Sequence, residues 1–263
     1  MSTTSQTYSE RSAEAAGLRI QVLQGGSGAP LLVLHHDIGN PGWLPVYEGL
    51  SGYASVLVPS LPGFGGSERP EWMRSVRDMA IVVQALIANL DLSDVSLVGL
   101  GFGGWIAAEM ATMAPRQFRR LVLVGAMGLQ PREGEILDQA ILSHHDYVRA
   151  GFHNPAACDA AFGAEPATEQ LEAWDVHREM CFRIAWRPYM YSQTLPHLLG
   201  DVKTPALVVW GREDRVVPLE CGERYAELLP QARLEVLNGC GHVVEMEQPE
   251  ALLRLVSSFL AEA

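Results

Sequence analysis

A chain of 263 residues with 48% hydrophobic side chains has the material for one α/β domain carrying an insertion. Its net charge of −12 argues against nucleic acid or an anionic membrane as partner. The four cysteines (Cys158, Cys181, Cys221, Cys240) form no C-x-x-C pair, so zinc-ligand spacing is absent, and a disulfide framework is not expected in a chain this long. No apolar run reaches membrane-span length, and the polar N-terminus lacks a signal-peptide core, so a cytoplasmic protein is the expectation. In chain order, residues 1–16 read as a loose Ser/Thr/Glu-rich tail, and Leu18 to Leu23 alternates like an edge strand. Leu31 to Leu34 is all apolar, as in a strand buried on both faces, and runs into the loop His35-His36-Asp37-Ile38-Gly39-Asn40-Pro41-Gly42. Ser55 to Val58 is a further strand, and Val76 to Leu90 has the three-and-four spacing of an amphipathic helix.

Val95 to Val98 is a buried strand and Trp105 to Met113 a helix, with Gly99-Leu100-Gly101-Phe102-Gly103 between them. That turn has the glycines of a G-x-S-x-G nucleophile elbow, with Gly101 where the serine would stand. Leu121 to Val124 is another buried strand. From 130 to 200 no strand-like run occurs; Glu135 to Arg149 and Glu169 to Trp186 read as helices. The rhythm resumes with a strand at Ala206 to Trp210, a helix at Leu219 to Leu229, a strand at Leu234 to Leu237 and a helix from Pro249 to Leu260. This alternation predicts a mostly parallel twisted sheet with helices on both faces. The division expected is a core of 1–129 and 201–263, with 130–200 as a helical cap over the sheet's C-terminal edge.

Three motifs occur in order: the glycine elbow, Trp210-Gly211-Arg212-Glu213-Asp214 after one strand, and Gly239-Cys240-Gly241-His242 after the last. Together with Pro62-Gly63-Phe64-Gly65-Gly66-Ser67 they resemble the α/β-hydrolase superfamily from Leu31 to Leu260. Within it they are most similar to the carbon–carbon bond hydrolases of aromatic degradation and to related esterases. The resemblance implies the α/β-hydrolase fold, whose chain order is nucleophile, acid, histidine. Two positions depart from its pattern. Gly101 replaces the nucleophile, and the oxyanion loop, usually His-Gly and a small residue, is His35-His36-Asp37.

On this reading Asp214 accepts a hydrogen bond from His242 and fixes its tautomer. The oxyanion hole draws on the backbone N–H of Phe102 and of His36 or Asp37. Asp37 is awkward there, because a carboxylate aimed into the hole repels an oxyanion; His35 is read as a packing residue. Trp105, Trp186 and Tyr189 are expected to contact an apolar small-molecule substrate or ligand. Cys240 is read as packing, and Glu245 and Glu247 as surface or helix-start residues. No cofactor is expected. Neither His35-His36-Asp37 nor His144-His145-Asp146 has ligand spacing, and adjacent residues rarely converge on one ion. Three functions remain open. The first is an enzyme acting on a small ester, lactone or ketone through the His-Asp dyad, with water or acid–base chemistry replacing serine. The second is a non-catalytic ligand-binding protein, and the third a serine hydrolase whose nucleophile has been replaced by glycine. A homodimer is also left open.

Overall fold

The computed structural model describes residues 7–262. Eight strands form one sheet: β1 (Tyr8–Ala15), β2 (Leu18–Gly25), β3 (Pro30–Leu34), β4 (Ser55–Pro59), β5 (Ser96–Leu100), β6 (Arg120–Val124), β7 (Ala206–Gly211) and β8 (Ala232–Leu237). Their order is β1-β2-β4-β3-β5-β6-β7-β8. β2 pairs antiparallel with both β1 and β4; the remaining pairs are parallel. The all-apolar runs of β3, β5, β6 and β7 are buried on both faces because helices cover both.

Alternate residues feed two core layers. Leu32, Leu34, Leu97, Leu121 and Leu123 pack with α2 (Val76–Asn89) and α3 (Phe102–Met113). Leu31, Val33, Val98, Val122 and Val124 face α1 (Pro45–Ser51) and, at the C-terminus, α10 (Pro249–Ala261). Helix α2 begins at a capping box, in which Ser75 Oγ accepts from Asp78 N–H and Asp78 returns the bond to Ser75 N–H.

Two expectations at the N-terminus are corrected. Residues 8–15 are not a tail but the edge strand, paired along their whole length with β2, which is therefore interior. The hairpin turn is Ala16-Gly17, both at positive φ, the backbone a two-residue hairpin loop needs. Residues 1–6 of the expected tail lie outside the described residues.

Between β6 and β7 the chain runs through α4 (His144–Ala150), α5 (Pro155–Phe162), α6 (Thr168–Ala185) and α7 (Leu195–Leu198). The expected helix over Glu135 to Arg149 is instead irregular chain, a 3₁₀ turn at Gln139–Ile141 and then α4. Asp138 and Ser143 cap these two pieces separately, and each cap starts a new turn rather than continuing one. After β7 come α8 (Leu219–Leu228), β8 and the four-residue α9 (Val244–Glu247). No described helix is long and apolar enough to cross a membrane.

Candidate active site

The ends of β3, β5, β7 and β8 bring the motif residues to one edge of the sheet. Gly101 joins β5 to α3 at φ +50°, ψ −110°, a backbone that glycine adopts without a side-chain penalty. A Cβ on Gly99 would lie 2.5 Å from both the Gly103 carbonyl oxygen and the Gly104 Cα, so the tight elbow depends on its glycines. Phe102 is the first residue of α3, and its N–H therefore has no acceptor within the helix.

Asp214 lies in the loop after β7. Its Oδ1 accepts from the N–H groups of Val216 and Val217, both at 2.8 Å, and its Oδ2 accepts from His242 Nδ1–H at 2.8 Å. His242, in the loop after β8, is anchored by its own N–H to the Gly151 carbonyl at 2.7 Å. Burial alone would lower the His242 pKa. The Asp214 carboxylate outweighs it, with Asp37 and Glu245 adding to the effect, and the imidazole is held above its ordinary value. Its Nε2 is buried with no hydrogen-bond partner.

On the other side of Gly101 stands His36. A Cβ on Gly101 would overlap His36 Nδ1 and lie 3.1 Å from His242 Nε2. The His36 imidazole therefore occupies the volume of the missing side chain, and a serine at 101 cannot coexist with it in place. Its ring meets that of His242 edge-on at 4.9 Å. Nε2–H donates to Glu245 Oε2 at 3.2 Å, which leaves the second buried, unpartnered imidazole nitrogen, Nδ1, beside Gly101. The two departures from the hydrolase pattern, His for Gly at 36 and Gly for Ser at 101, are thus one exchange of volume.

Glu245 and Glu247 both lie in the first turn of α9, as the helix-start reading has it, but Glu245 is not at the surface; it is 1% exposed and paired to His36. Glu247 binds the backbone instead, accepting from Gly241 N–H and Asn154 N–H, both at 2.6 Å. His36 brings its side chain into the site in addition to its backbone. No spacing rule points to Glu245, because its burial follows from how α9 docks. The signal for His36 was its departure from glycine in the oxyanion loop.

Asp37 is buried, and its Oδ2 accepts from Gln139 Nε2 and Tyr147 Oη–H, both at 2.7 Å. Both partners come from the helical segment between β6 and β7. One ligand atom from each of His36, Asp37 and His242 lies within 4.8 Å of the other two. Adjacent residues do converge here, contrary to the spacing argument, because the turn after β3 sends both side chains toward His242. The second triplet does not converge: His144 pairs with Asp175, and the Asp146 carboxylate accepts from Ser143 Oγ–H, the cap of α4. His35 is structural. Its Nδ1–H donates to the His36 carbonyl at 2.7 Å and its Nε2 accepts from Leu61 N–H at 2.9 Å, while burial pushes its pKa down to about 3.

The void bounded by His36, Asp37, Tyr147, Val216 and His242 measures only about 10 Å³, enough for one water-sized body. A larger cavity, about 460 Å³, opens on the outside of the helical segment and is lined by Gln130, Ile136, Asp138, Trp186, Arg187, Tyr189 and Tyr191. Tyr189 joins the two regions: its hydroxyl accepts from the N–H of Gln139, whose side chain holds Asp37. Trp186 and Tyr189 line this outer cavity, which neither Gly101 nor His242 reaches. Trp105 does not; it is core, packed edge-on against Phe102 and close over Gly128. All four cysteines are buried, and burial raises the Cys240 thiol pKa, so it offers no replacement nucleophile.

The sequence profile of the Alpha/beta hydrolase family matches residues 31–255, and the chain belongs to that family. Its relatives include a 2-hydroxymuconate semialdehyde hydrolase from a Pseudomonas strain, 32% identical over 95% of this chain and 93% of its own. A 2-hydroxy-6-oxo-2,4-heptadienoate hydrolase from Pseudomonas putida is 27% identical over 94% of each chain. Among solved structures, a meta-cleavage product hydrolase from Pseudomonas fluorescens superimposes with a TM-score of 0.81 at 24% identity, covering 95% of this chain and 97% of the other. A bacterial membrane phospholipase A superimposes with a TM-score of 0.83 at 25% identity, covering 97% and 86%. The curated relatives are named hydrolases, which supports a hydrolase here.

Proposed function

We propose that the protein hydrolyses a small apolar carbonyl compound at a carbon–carbon or ester bond beside the carbonyl, using water directly in place of a serine. One observation carries this reading: His36 Nδ1 and His242 Nε2, both buried and unpartnered, face the space beside Gly101 where a family serine would present its hydroxyl. A water there accepts the role of nucleophile. Its oxygen bonds to the carbonyl carbon as its proton passes to His242 Nε2, and Asp214 stabilises the imidazolium. The N–H groups of Phe102 and of His36 or Asp37 meet the oxyanion. On collapse the bond to the leaving group breaks and His242 returns the proton to the leaving atom, giving a carboxylic acid and the released fragment.

The relatives' names point to 2-hydroxy-6-oxo-dienoates and semialdehydes as the first compounds to try. The 130–200 segment acts as a cap, since a void of about 10 Å³ admits such a molecule only after Gln139 and Tyr147 move off Asp37. Trp186 and Tyr189 line the approach.

The closed void favours a second reading, a binding protein without turnover. Product formation, followed by mass spectrometry over a panel of dienoates, esters and lactones, separates the two. Wild type is expected to release acid stoichiometric with substrate loss, and His242→Ala to lose about 10³-fold or more of that rate. Equal rates in both proteins would defeat the proposal; thermal stabilisation by a compound without product would establish the binding reading.

A further inference from the structure

We propose that His36 Nδ1, His242 Nε2 and the Asp37 carboxylate bind one divalent transition-metal ion, with zinc as the first probe, in the space beside Gly101. The proposal rests on the hydrolase reading for where the reaction occurs, and it changes the part played by His242 there from base to ligand.

The donor set is two imidazole nitrogens and one carboxylate oxygen, which suits zinc and neighbouring divalent ions. Its atoms are no more than 4.8 Å apart. Atoms so placed fit within a sphere of about 2.8 Å radius, so movements of about 0.7 Å or less toward its centre bring all three to zinc-ligand distances. Glycine at 101 is what lets the His36 ring stand beside His242, because a Cβ there would overlap His36 Nδ1. A void of about 10 Å³ touches all three donors, with Ile38, Val148, Val216 and Val243 as its apolar wall, and suits a single ion or water and no organic group.

The surroundings point the same way. Glu245 takes the outer nitrogen of His36, and Asp214 that of His242, so both inner nitrogens are left beside Gly101. Neither nitrogen has a partner. A carboxylate behind each ligating histidine is the usual second layer of a metal centre, where it fixes the ring and raises its basicity. Gln139 and Tyr147 hold Asp37 in the same manner through Oδ2.

Charge separates an ion from a water. Asp37, Asp214 and Glu245 put three carboxylates around two imidazoles in a buried cluster. Among the described residues, no Lys or Arg forms an ion pair with any of them. Buried negative charge is costly, and a divalent cation among three carboxylates offsets more of it than one imidazolium or a water does. An ion held by three protein ligands keeps a position open to water or a carbonyl oxygen. It would there lower the pKa of the water, or polarise the carbonyl, at the position the family gives to its serine.

The test uses the whole protein, stripped by a chelator and dialysed. Titration with Zn²⁺ by calorimetry, and with Co²⁺ followed by its visible absorption, is expected to show one ion per chain and a low-symmetry cobalt spectrum. Asp37→Asn and His36→Gln should weaken binding at least 10-fold, Glu245→Gln about 10- to 100-fold, and His144→Ala not at all. Uptake of less than one ion, or an Asp37→Asn protein that binds as tightly as wild type, overturns the site. Should His36→Gln fail to fold, the cobalt spectrum of wild type and of Asp37→Asn still decides. Turnover that persists after chelation with no ion bound overturns the metal site and leaves the hydrolase reading intact. One bound ion with no turnover on any carbonyl substrate does the reverse.

Discussion

Two carboxylate–imidazole pairs face each other across Gly101, and they are built to different standards. Asp214 is fixed by two backbone N–H groups before it meets His242 at 2.8 Å, and it stands on a loop between a buried strand and α8. Glu245 meets His36 at 3.2 Å from the four-residue α9. The first pair is positioned by the sheet. The second is positioned by what it fills, since the His36 ring rests in the volume that a residue with a Cβ at 101 would claim. The contrast teaches that a hydrolase elbow can lose its side chain and have the Cβ volume refilled, provided that the neighbouring loop supplies a ring of the right size.

Removing each acid in turn measures that contrast most directly. Asp214→Asn keeps the shape but donates where it should accept, which in serine-protease triads costs about 10⁴-fold in turnover by holding the wrong tautomer. Glu245→Gln perturbs a longer and weaker bond and is expected to cost about 10- to 100-fold. Steady-state rates on the best substrate from the dienoate and ester panel make the comparison. Losses of equal size would show that the two pairs share the chemistry evenly, and the asymmetry argued from their geometry would be wrong.

Gly101→Ser tests whether His36 holds the space. The new Cβ overlaps His36 Nδ1 in an elbow at positive φ, so overpacking and backbone strain together should cost about 2–5 kcal/mol, read from urea unfolding. The serine should also stay unreactive toward a fluorophosphonate probe while the ring remains. Combining it with His36→Gly clears the overlap and is expected to allow labelling. If the single variant labels as readily as the double, the ring moves aside freely and the exchange of volume is not obligatory.

What the chain makes legible follows the same division. Buried strands announce themselves by unbroken apolar runs, as at Leu31–Leu34 and Ala206–Trp210, because helices on both faces leave no side for polar residues. Asp214 and His242 are legible because they follow such strands. The edge strand Tyr8–Ala15 is not, since its outward residues are as polar as a tail and only the Ala16-Gly17 turn marks the hairpin. The helical segment was visible as a whole but not in its parts, where caps at Asp138 and Ser143 break a periodicity that looked continuous. Glu245 was hidden because its burial depends on the docking of α9 and on a ring more than two hundred residues away. Trp105 was misplaced for a related reason: a large aromatic beside an elbow packs as readily onto the sheet as into a pocket, and Gly128 makes room for it in the core.

The smallest expected effect separates the two histidines that begin the loop. His35 and His36 are neighbours, but one is spent on backbone bonds and the other points into the site. Burial pushes His35 down to about 3, so the native protein keeps it neutral where the unfolded chain, with an ordinary value near 6.5, binds a proton. The unfolded state then holds more protons between those values, and stability falls as pH drops from about 6.5 toward 3, by at most about 1.4 kcal/mol per pH unit from this group. His242 has the opposite sign. Its pKa is raised, so its contribution is complete below about 6.5 and is lost as pH climbs through the raised value. Burial lowers His177 as well, so the acid slope has more than one source, and the informative quantity is a difference between proteins. Urea midpoints measured from pH 7 to 4 should fall less steeply in His35→Gln than in wild type, even though the variant starts less stable at pH 7 for want of one backbone bond. Parallel slopes would mean that His35 takes up its proton inside the folded protein, and that the loop carrying His36 is looser than its hydrogen bonds to Leu61 and His36 imply.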